Sequence, residues 1–355
     1  MDLDVGLALV EQRLHRFFME SKLRAAAQGP SYLQLWEALE RTSRGGSRSR
    51  PRLVLLAYSG LGGTAATEAT GVAAAFELLH NALLVHDDVI DRDLLRRGAP
   101  NVAATYRNAA LQRGASPVAA DHAGACAAIL AGDLALAGVY QVIRSLPVPE
   151  ALHRELHCVV DQAIFASVGG ELFDIESSLG QDMPPLEEIL NTARHKTSAY
   201  SFEAPLHAGA ILAGAPEQAR SALASFGRFA GIAYQIADDV LGVFGEQSQT
   251  GKSRWGDLRE GKRTILLSYA ATQPQWDSVA GLIGTPQMTA SEAEKIRAML
   301  IACGAKDYAI ASAVQHAEKA LGCLAIDEIP DRLRERLGSL LMASVNRVHL
   351  SATAV

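Results

Sequence analysis

Aromatic residues are scarce in this chain, 6% of 355, although apolar residues make up 49%. A core of that composition must be built from Ala, Leu, Val and Ile, which suits helices better than sheets, where β-branched and aromatic side chains dominate. A basic excess is missing too: 33 Lys and Arg stand against 39 Asp and Glu, a net charge of −6, which argues against a dedicated nucleic-acid binder. The four cysteines, Cys126, Cys158, Cys303 and Cys323, lie far apart with no CxxC spacing. Neither a zinc site nor a disulfide framework is suggested by that spacing, and a reducing cytoplasm is the expectation. No basic region precedes the apolar residues of MDLDVGLALVEQRL, unlike a signal peptide. The longest Ala-rich segment, 117 to 143, contains Asp121, His122 and Asp133, so it reads as a buried core helix and not an integral membrane segment.

Period-two alternation bounded by turn signals is absent, whereas helical periodicity recurs along the chain. The expectation is an all-α protein with helices over 3–27, 51–60, 65–91, 117–145, 149–177, 185–213, 216–244, 262–273, 290–303, 305–323 and 329–350. Breakers occupy 41–51, 179–185, 245–257 and 283–287, none long or biased enough to be an interdomain linker, so a single domain over 1–355 is expected.

What is present is acid at the ends of oily helices. HDDVIDRDLLRRG, residues 86–98, follows the apolar run Phe76–Val85. On a helix Asp87 and Asp91 share a face while Asp88 flanks them. Taken alone, this cluster fits a solvated helix end as well as a hard oxygen site for Mg²⁺, which takes few protein ligands plus water and phosphate oxygens. Arg96 and Arg97 follow within reach, and carboxylates for a metal beside guanidinium forks are what a diphosphate requires. His80 lies two turns before Asp87, with Leu83 and Phe76 near the same stripe, so the face grades from apolar to acidic.

A second helix ends the same way in QIADDVLGVFGEQSQTGKSRWGDLREGK, residues 235–262, with Gln235, Asp238 and Asp239, then Lys252, Asp257 and Lys262. A further cation, Lys196, stands beside Thr197 in HKTSAYSFEAP. A lysine there is ordinarily a snorkelling surface residue; its recurrence with the acid clusters points instead to anion binding.

Together these segments resemble the trans-isoprenyl diphosphate synthases, the short-chain polyprenyl synthetases similar to geranylgeranyl diphosphate synthase. HDDVID with its following RR resembles the first aspartate-rich motif, and QIADDVLGVFG, TGK and DLREGK resemble the second with its downstream lysines. KTSAYSFEAPLHAGA, AGDLALA at 131–137 and GGSRSRP at 45–51 resemble the family's KT, AGD and GGKRxRP segments, in the right order from about residue 45 to 265. The resemblance implies the isoprenoid synthase type I fold, a bundle of antiparallel helices around a deep cavity. It implies that Asp87, Asp91 and Asp238 bind Mg²⁺, three ions per site, against the allylic diphosphate, with Asp88 and Asp239 in support. Arg96, Lys196 and Lys252 would hold that diphosphate, with Lys262 downstream. Arg48, Arg50, His80 and Arg97 would hold isopentenyl diphosphate, and Thr197, Tyr200 and Gln235 would line the reaction centre. A homodimer is implied as well. The sequence departs from the pattern at Ser47, where the family has lysine, at Glu171, where it has glutamine, and at Gly242, where the second motif ends in aspartate.

The implied activity is head-to-tail condensation of isopentenyl diphosphate with dimethylallyl, geranyl or farnesyl diphosphate, inside an apolar chamber that excludes water. Each helical turn adds about 5.4 Å of depth. In the family, aromatics four and five positions before the first aspartate shorten products; here those positions hold Leu83 and Ala82, with Phe76 as a stop further up. Geranylgeranyl diphosphate is the expected product, with farnesyl or longer products as alternatives. A class I terpene cyclase would need an NSE-type second metal motif, which is missing. A weakly active partner subunit of a hetero-oligomeric synthase would account for Ser47, Glu171 and Gly242, but not for the acids and cations retained.

Overall fold

The structure, a computed structural model, describes residues 2–180, 182–245 and 255–352, with side chains described up to residue 347. It is all-α apart from one two-stranded hairpin among the described residues, and it divides into two compact units, Met1–Cys158 with Ile211–Gly214, and Val159–Ala210 with Ala215–Val355.

In the first unit, α1 (Leu3–Ala26) starts at Asp2, whose carboxylate accepts from the Asp4 and Val5 amides. Then come α2 (Pro30–Ser43), α3 (Ser49–Gly60) and α4 (Ala66–Ile90). Helix α3 begins two residues before the expected Pro51, because a proline in the first turn forfeits no intrahelical bond. Phe17, Phe18 and Trp36 meet edge to face where α1 crosses α2, concentrating three of the few aromatics in one place. Helix α4 packs most extensively on α6 (Pro117–Arg144), and α5 (Val102–Gln112) packs on α6 as well. Both helices are rich in small buried side chains, with Ala73, Ala74, Ala75 and Ala82 of α4 and Ala128, Ala131 and Ala135 of α6 all closed off from solvent. Helix α6 is long and apolar enough to cross a membrane, but half of its most apolar stretch is buried against these neighbours.

The hairpin, β1 (Leu95–Arg96) and β2 (Ala99–Pro100), follows the acids of α4 directly. Its two-residue loop, Arg97 and Gly98, has positive φ at both positions (52° and 74°), as the primed turns of tight hairpins require. RRG was read from the sequence as plain loop; strands this short leave no alternation to detect. Helices α2 and α5 were not anticipated either.

Helix α7 (Glu150–Leu179) starts in the first unit and continues in the second. After α8 (Leu186–Ala193) the chain forms a ten-residue π-helix, Arg194–Glu203, before resuming as α9 (Ala204–Leu212). The sequence had suggested one uninterrupted helix over 185–213. Helix α10 (Glu217–Phe244) is the organising element of this unit, flanked by the π-helix, α14 (Ala305–Cys323) and α15 (Asp331–Ala352). Short α11 (Gly256–Glu260), α12 (Ile265–Ala271) and α13 (Ala290–Ala302) complete it, the last started by a capping box of Thr289 and Glu292.

Candidate active site

In the first unit the acids sit where α4 runs out. Asp91 is the helix C-cap, its amide donating to the Asp87 carbonyl at 2.8 Å. Asp87 and Asp91 are half-buried, whereas Asp88 is 2% exposed and turned inward. The hairpin delivers Arg96 onto this end: its Nε donates to Asp88 Oδ1 at 2.9 Å, its Nη2 bonds the same oxygen, and Asp87 and Asp93 lie at 3.7 and 3.9 Å. Burial pushes the Asp88 carboxyl up to about 6 despite the opposing pull of Arg96. Asp88 is therefore first a tether for Arg96. Asn101, buried and unremarked in the sequence, holds the same loop by donating to the Asp93 carbonyl at 2.7 Å while capping α5.

Arg48, Arg50, His80 and Arg97 are brought together. Desolvation, reinforced by the guanidinium groups of Arg50, Arg97, Arg96 and Arg48, holds His80 well below the usual imidazole range, so it is neutral at pH 7. Arg97 Nη1 donates to the Thr42 and Arg44 carbonyls at 3.2 and 2.8 Å, which ties the hairpin to the end of α2. Arg48 is engaged through all three guanidinium nitrogens. Nε and Nη2 bond the Glu11 carboxylate, and Nη1 donates to the Ser43 carbonyl at 2.9 Å and to Glu77 Oε1 at 2.5 Å. Glu77 could have been suspected from the sequence, being a lone acid inside an apolar helical run; Glu11, far upstream, could not. Ala82 and Phe76 are fully buried in α4, and Leu83 is half-buried.

In the second unit the π-helix presents Lys196, Thr197 and Tyr200. It lies close because its neighbours offer glycine: a Cβ on Gly170 of α7 would stand 2.2 Å from the Lys196 amide nitrogen, and one on Gly231 of α10 would stand 2.6 Å from Ser198 Cα. Ser198 seals the contact by donating to the Gly227 and Arg228 carbonyls at 3.0 and 2.8 Å. A chain of hydrogen bonds then links three expected site residues: Thr197 Oγ1 donates to Gln235 Oε1, and Gln235 Nε2 donates to Asp239 Oδ1, each at 2.7 Å. Desolvation, with the neighbouring carboxylates of Asp257, Asp238 and Asp174, raises the Asp239 carboxyl well above its ordinary range. Lys196 Nζ donates to Glu171 Oε1 at 3.0 Å and to Asp174 Oδ2 at 2.6 Å. Asp174 was not singled out in the sequence, although it lies one turn beyond Glu171. At Gly242, where the resemblance called for aspartate, Asp257 Oδ2 comes within 2.7 Å of where a Cβ would be. An acid from α11 thus stands where α10 lacks one. Lys262 pairs with Glu260 at 3.0 Å. Lys252 lies outside the described residues.

Among the described residues, no three His, Cys, Asp or Glu side chains converge tightly enough to form a metal site on their own. A donor set of separate carboxylates suits a hard cation whose shell is completed by water and phosphate oxygens. An all-α protein with two acid-ended helices, each beside guanidinium or ammonium groups, has the chemistry to handle anionic phosphate esters with a divalent cation.

The comparisons with known proteins agree. The polyprenyl synthetase family model matches residues 34–301, and the chain belongs to that family. It is a trans-prenyl diphosphate synthase. It is 33% identical over 309 residues to the geranylfarnesyl diphosphate synthase of Aeropyrum pernix, covering 86% of this chain and 91% of that protein. It is also 33% identical over 311 residues to the (2E,6E)-farnesyl diphosphate synthase of Mycobacterium tuberculosis, covering 85% and 80%. The crystal structure of geranylgeranyl pyrophosphate synthase from Corynebacterium glutamicum, complexed with isoprenyl diphosphate and magnesium, superposes with a TM-score of 0.91 at 29% identity, covering 98% of this chain and 100% of that one.

Proposed function

We propose that this prenyltransferase, acting as one domain, adds isopentenyl diphosphate to an allylic diphosphate and releases geranylgeranyl diphosphate. The observation that carries this reading is the pairing of acid with cation towards the end of each helix: Asp87 and Asp88 with Arg96, and Asp239 beside Asp174, which Lys196 holds. Asp87, Asp91 and Asp238 would hold Mg²⁺, for which three ions are proposed. When bound, the cations supply positive charge against the leaving diphosphate. Arg96, Lys196 and Lys252 grip that diphosphate as the allylic C–O bond ionises. Arg50, His80 and Arg97 hold isopentenyl diphosphate, and Arg48, expected beside them, has its guanidinium on Glu11 and Glu77 and so fixes the start of α3, which carries Arg50. His80, neutral, contributes an N–H and not a charge. Thr197 and Gln235 are fixed by their mutual hydrogen bond and present oxygen dipoles to the developing cation. The double bond of isopentenyl diphosphate attacks, and the proton lost from the adduct goes to the departing diphosphate. The four cysteines are free thiols, in keeping with a cytoplasmic enzyme.

Product length needs its own evidence, since relatives of equal identity are named for farnesyl and geranylfarnesyl products. Purified chain supplied with Mg²⁺, farnesyl diphosphate and isopentenyl diphosphate is expected to yield geranylgeranyl diphosphate on chromatography. Absence of any elongated product would overturn the reading.

A further inference from the structure

Lys196 is assigned above to the allylic diphosphate, yet its ammonium group is shared by two carboxylates. Glu171 and Asp174 lie three residues apart on α7, on one face, and Nζ reaches both, at 3.0 and 2.6 Å. The contact is built into the fold. Gly170, the residue before Glu171, has no side chain, and the Lys196 backbone fills the space that a Cβ would need. The surroundings are acidic as well, with Asp174, Asp238 and Asp257 all acting on Asp239. Two carboxylates thus share the one ammonium group, and Glu171 adds a charge that a glutamine of the same size would not. A diphosphate arriving at Lys196 without a cation must displace one acid and face the other.

We propose that Glu171 is a displaceable counter-ion of Lys196 that makes this cluster accept a diphosphate only after a divalent cation has bound. With cation present, the surplus carboxylates have a partner, and Glu171 can release Lys196 to the diphosphate without leaving an unbalanced negative charge behind. Glu171 acts through Lys196 and is a positioning residue. This inference rests on the function proposed above.

The test measures binding of inorganic diphosphate by calorimetry, to the full chain and to Glu171→Gln, with Mg²⁺ and with a chelator in its place. Without Mg²⁺ the variant is expected to bind about five-fold more tightly than the unaltered protein, the scale of one partly exposed ion pair. With saturating Mg²⁺ the two should agree to within about two-fold. The Mg²⁺ concentration giving half-maximal diphosphate binding should fall in the variant. Glu171→Ala, which removes the carboxylate with the least demand on packing, should move the same quantities in the same direction. Equal metal-free affinities in variant and parent would overturn the inference. A higher Mg²⁺ requirement in the variant would do so too, by making Glu171 a group that binds the metal. So would tight metal-free binding by the unaltered protein. If the unaltered protein elongates farnesyl diphosphate while any of these results holds, only the role of Glu171 falls. If it elongates nothing, the proposed function falls with it.

Discussion

The buried ionic groups of the first unit make separable predictions at the scale of single residues. Asp88 has a carboxyl raised to about 6 from an ordinary 3.8, so between those values the folded protein binds a proton that the unfolded chain has already lost. Stability from this group therefore falls as pH rises from about 4 to about 6, and the difference amounts to no more than about 3 kcal/mol. Thermal melts from about pH 4 to about pH 6 are expected to show stability that falls less, or rises more, with pH in Asp88→Asn than in the unaltered protein; identical profiles would contradict the assignment. Arg48 makes the opposite kind of prediction. Its partner Glu77 is almost fully buried, so Arg48→Met leaves a carboxylate without its cation and is expected to cost about 3–5 kcal/mol in denaturant unfolding. Glu11→Gln, on the exposed side of the same guanidinium, should cost under about 1 kcal/mol. The acids and arginines themselves could be found in the sequence because they cluster locally. Their partners Glu11, Asn101 and Asp174 could not, since each is an ordinary polar residue until the fold brings it to the site.

At the scale of elements, the π-helix and α4 decide what the site can do. The heavily apolar helices α4, α6 and α10 were legible to within a residue or two, because burial of one long face fixes their period. The π-helix was not legible, since its register is set by glycines on two other helices and not by its own residues. Gly231→Ala should therefore act on the π-helix. Its new Cβ meets Ser198 at 2.3 Å from Oγ, so the variant is expected to lose about 1–3 kcal/mol of stability and to lower kcat by more than it raises KM. An unaltered kcat at permissive temperature would show that the π-helix tolerates the shift. Helix α4 is the proposed ruler for the product. Ala82 is fully closed off, so a phenylalanine there must first displace its neighbours; half-buried Leu83 is the better probe. Leu83→Phe is expected to shorten the product by one isoprene unit and Leu83→Ala to let the chain grow towards Phe76. Product chromatography that shows the same length in both variants would remove α4 from this role.

On the scale of the whole molecule, the all-α class followed from composition, because a chain poor in aromatics but rich in alanine packs helices rich in small buried side chains, such as α4 and α6. What composition could not reveal is which apolar residues stay outside. Helix α7 exposes Phe165, Val168 and Leu172, with Phe165 83% exposed, at spacings of three and four that align them on one face; α6 exposes Ile129 and Leu130. A stripe of this kind costs solubility unless something covers it. Because the sequence resemblance implies a homodimer, a second copy is the cover we propose, since a two-fold interface buries the same patch on both partners. Phe165→Glu places a charge in the middle of the α7 stripe, where two-fold symmetry would bring like charges near each other. Sedimentation is expected to show the unaltered protein as a dimer and this variant shifted to monomer, with a thermal midpoint that becomes independent of protein concentration. A variant that still sediments as a dimer, or an unaltered protein that is monomeric at micromolar concentration, would leave the α7 stripe without its proposed partner.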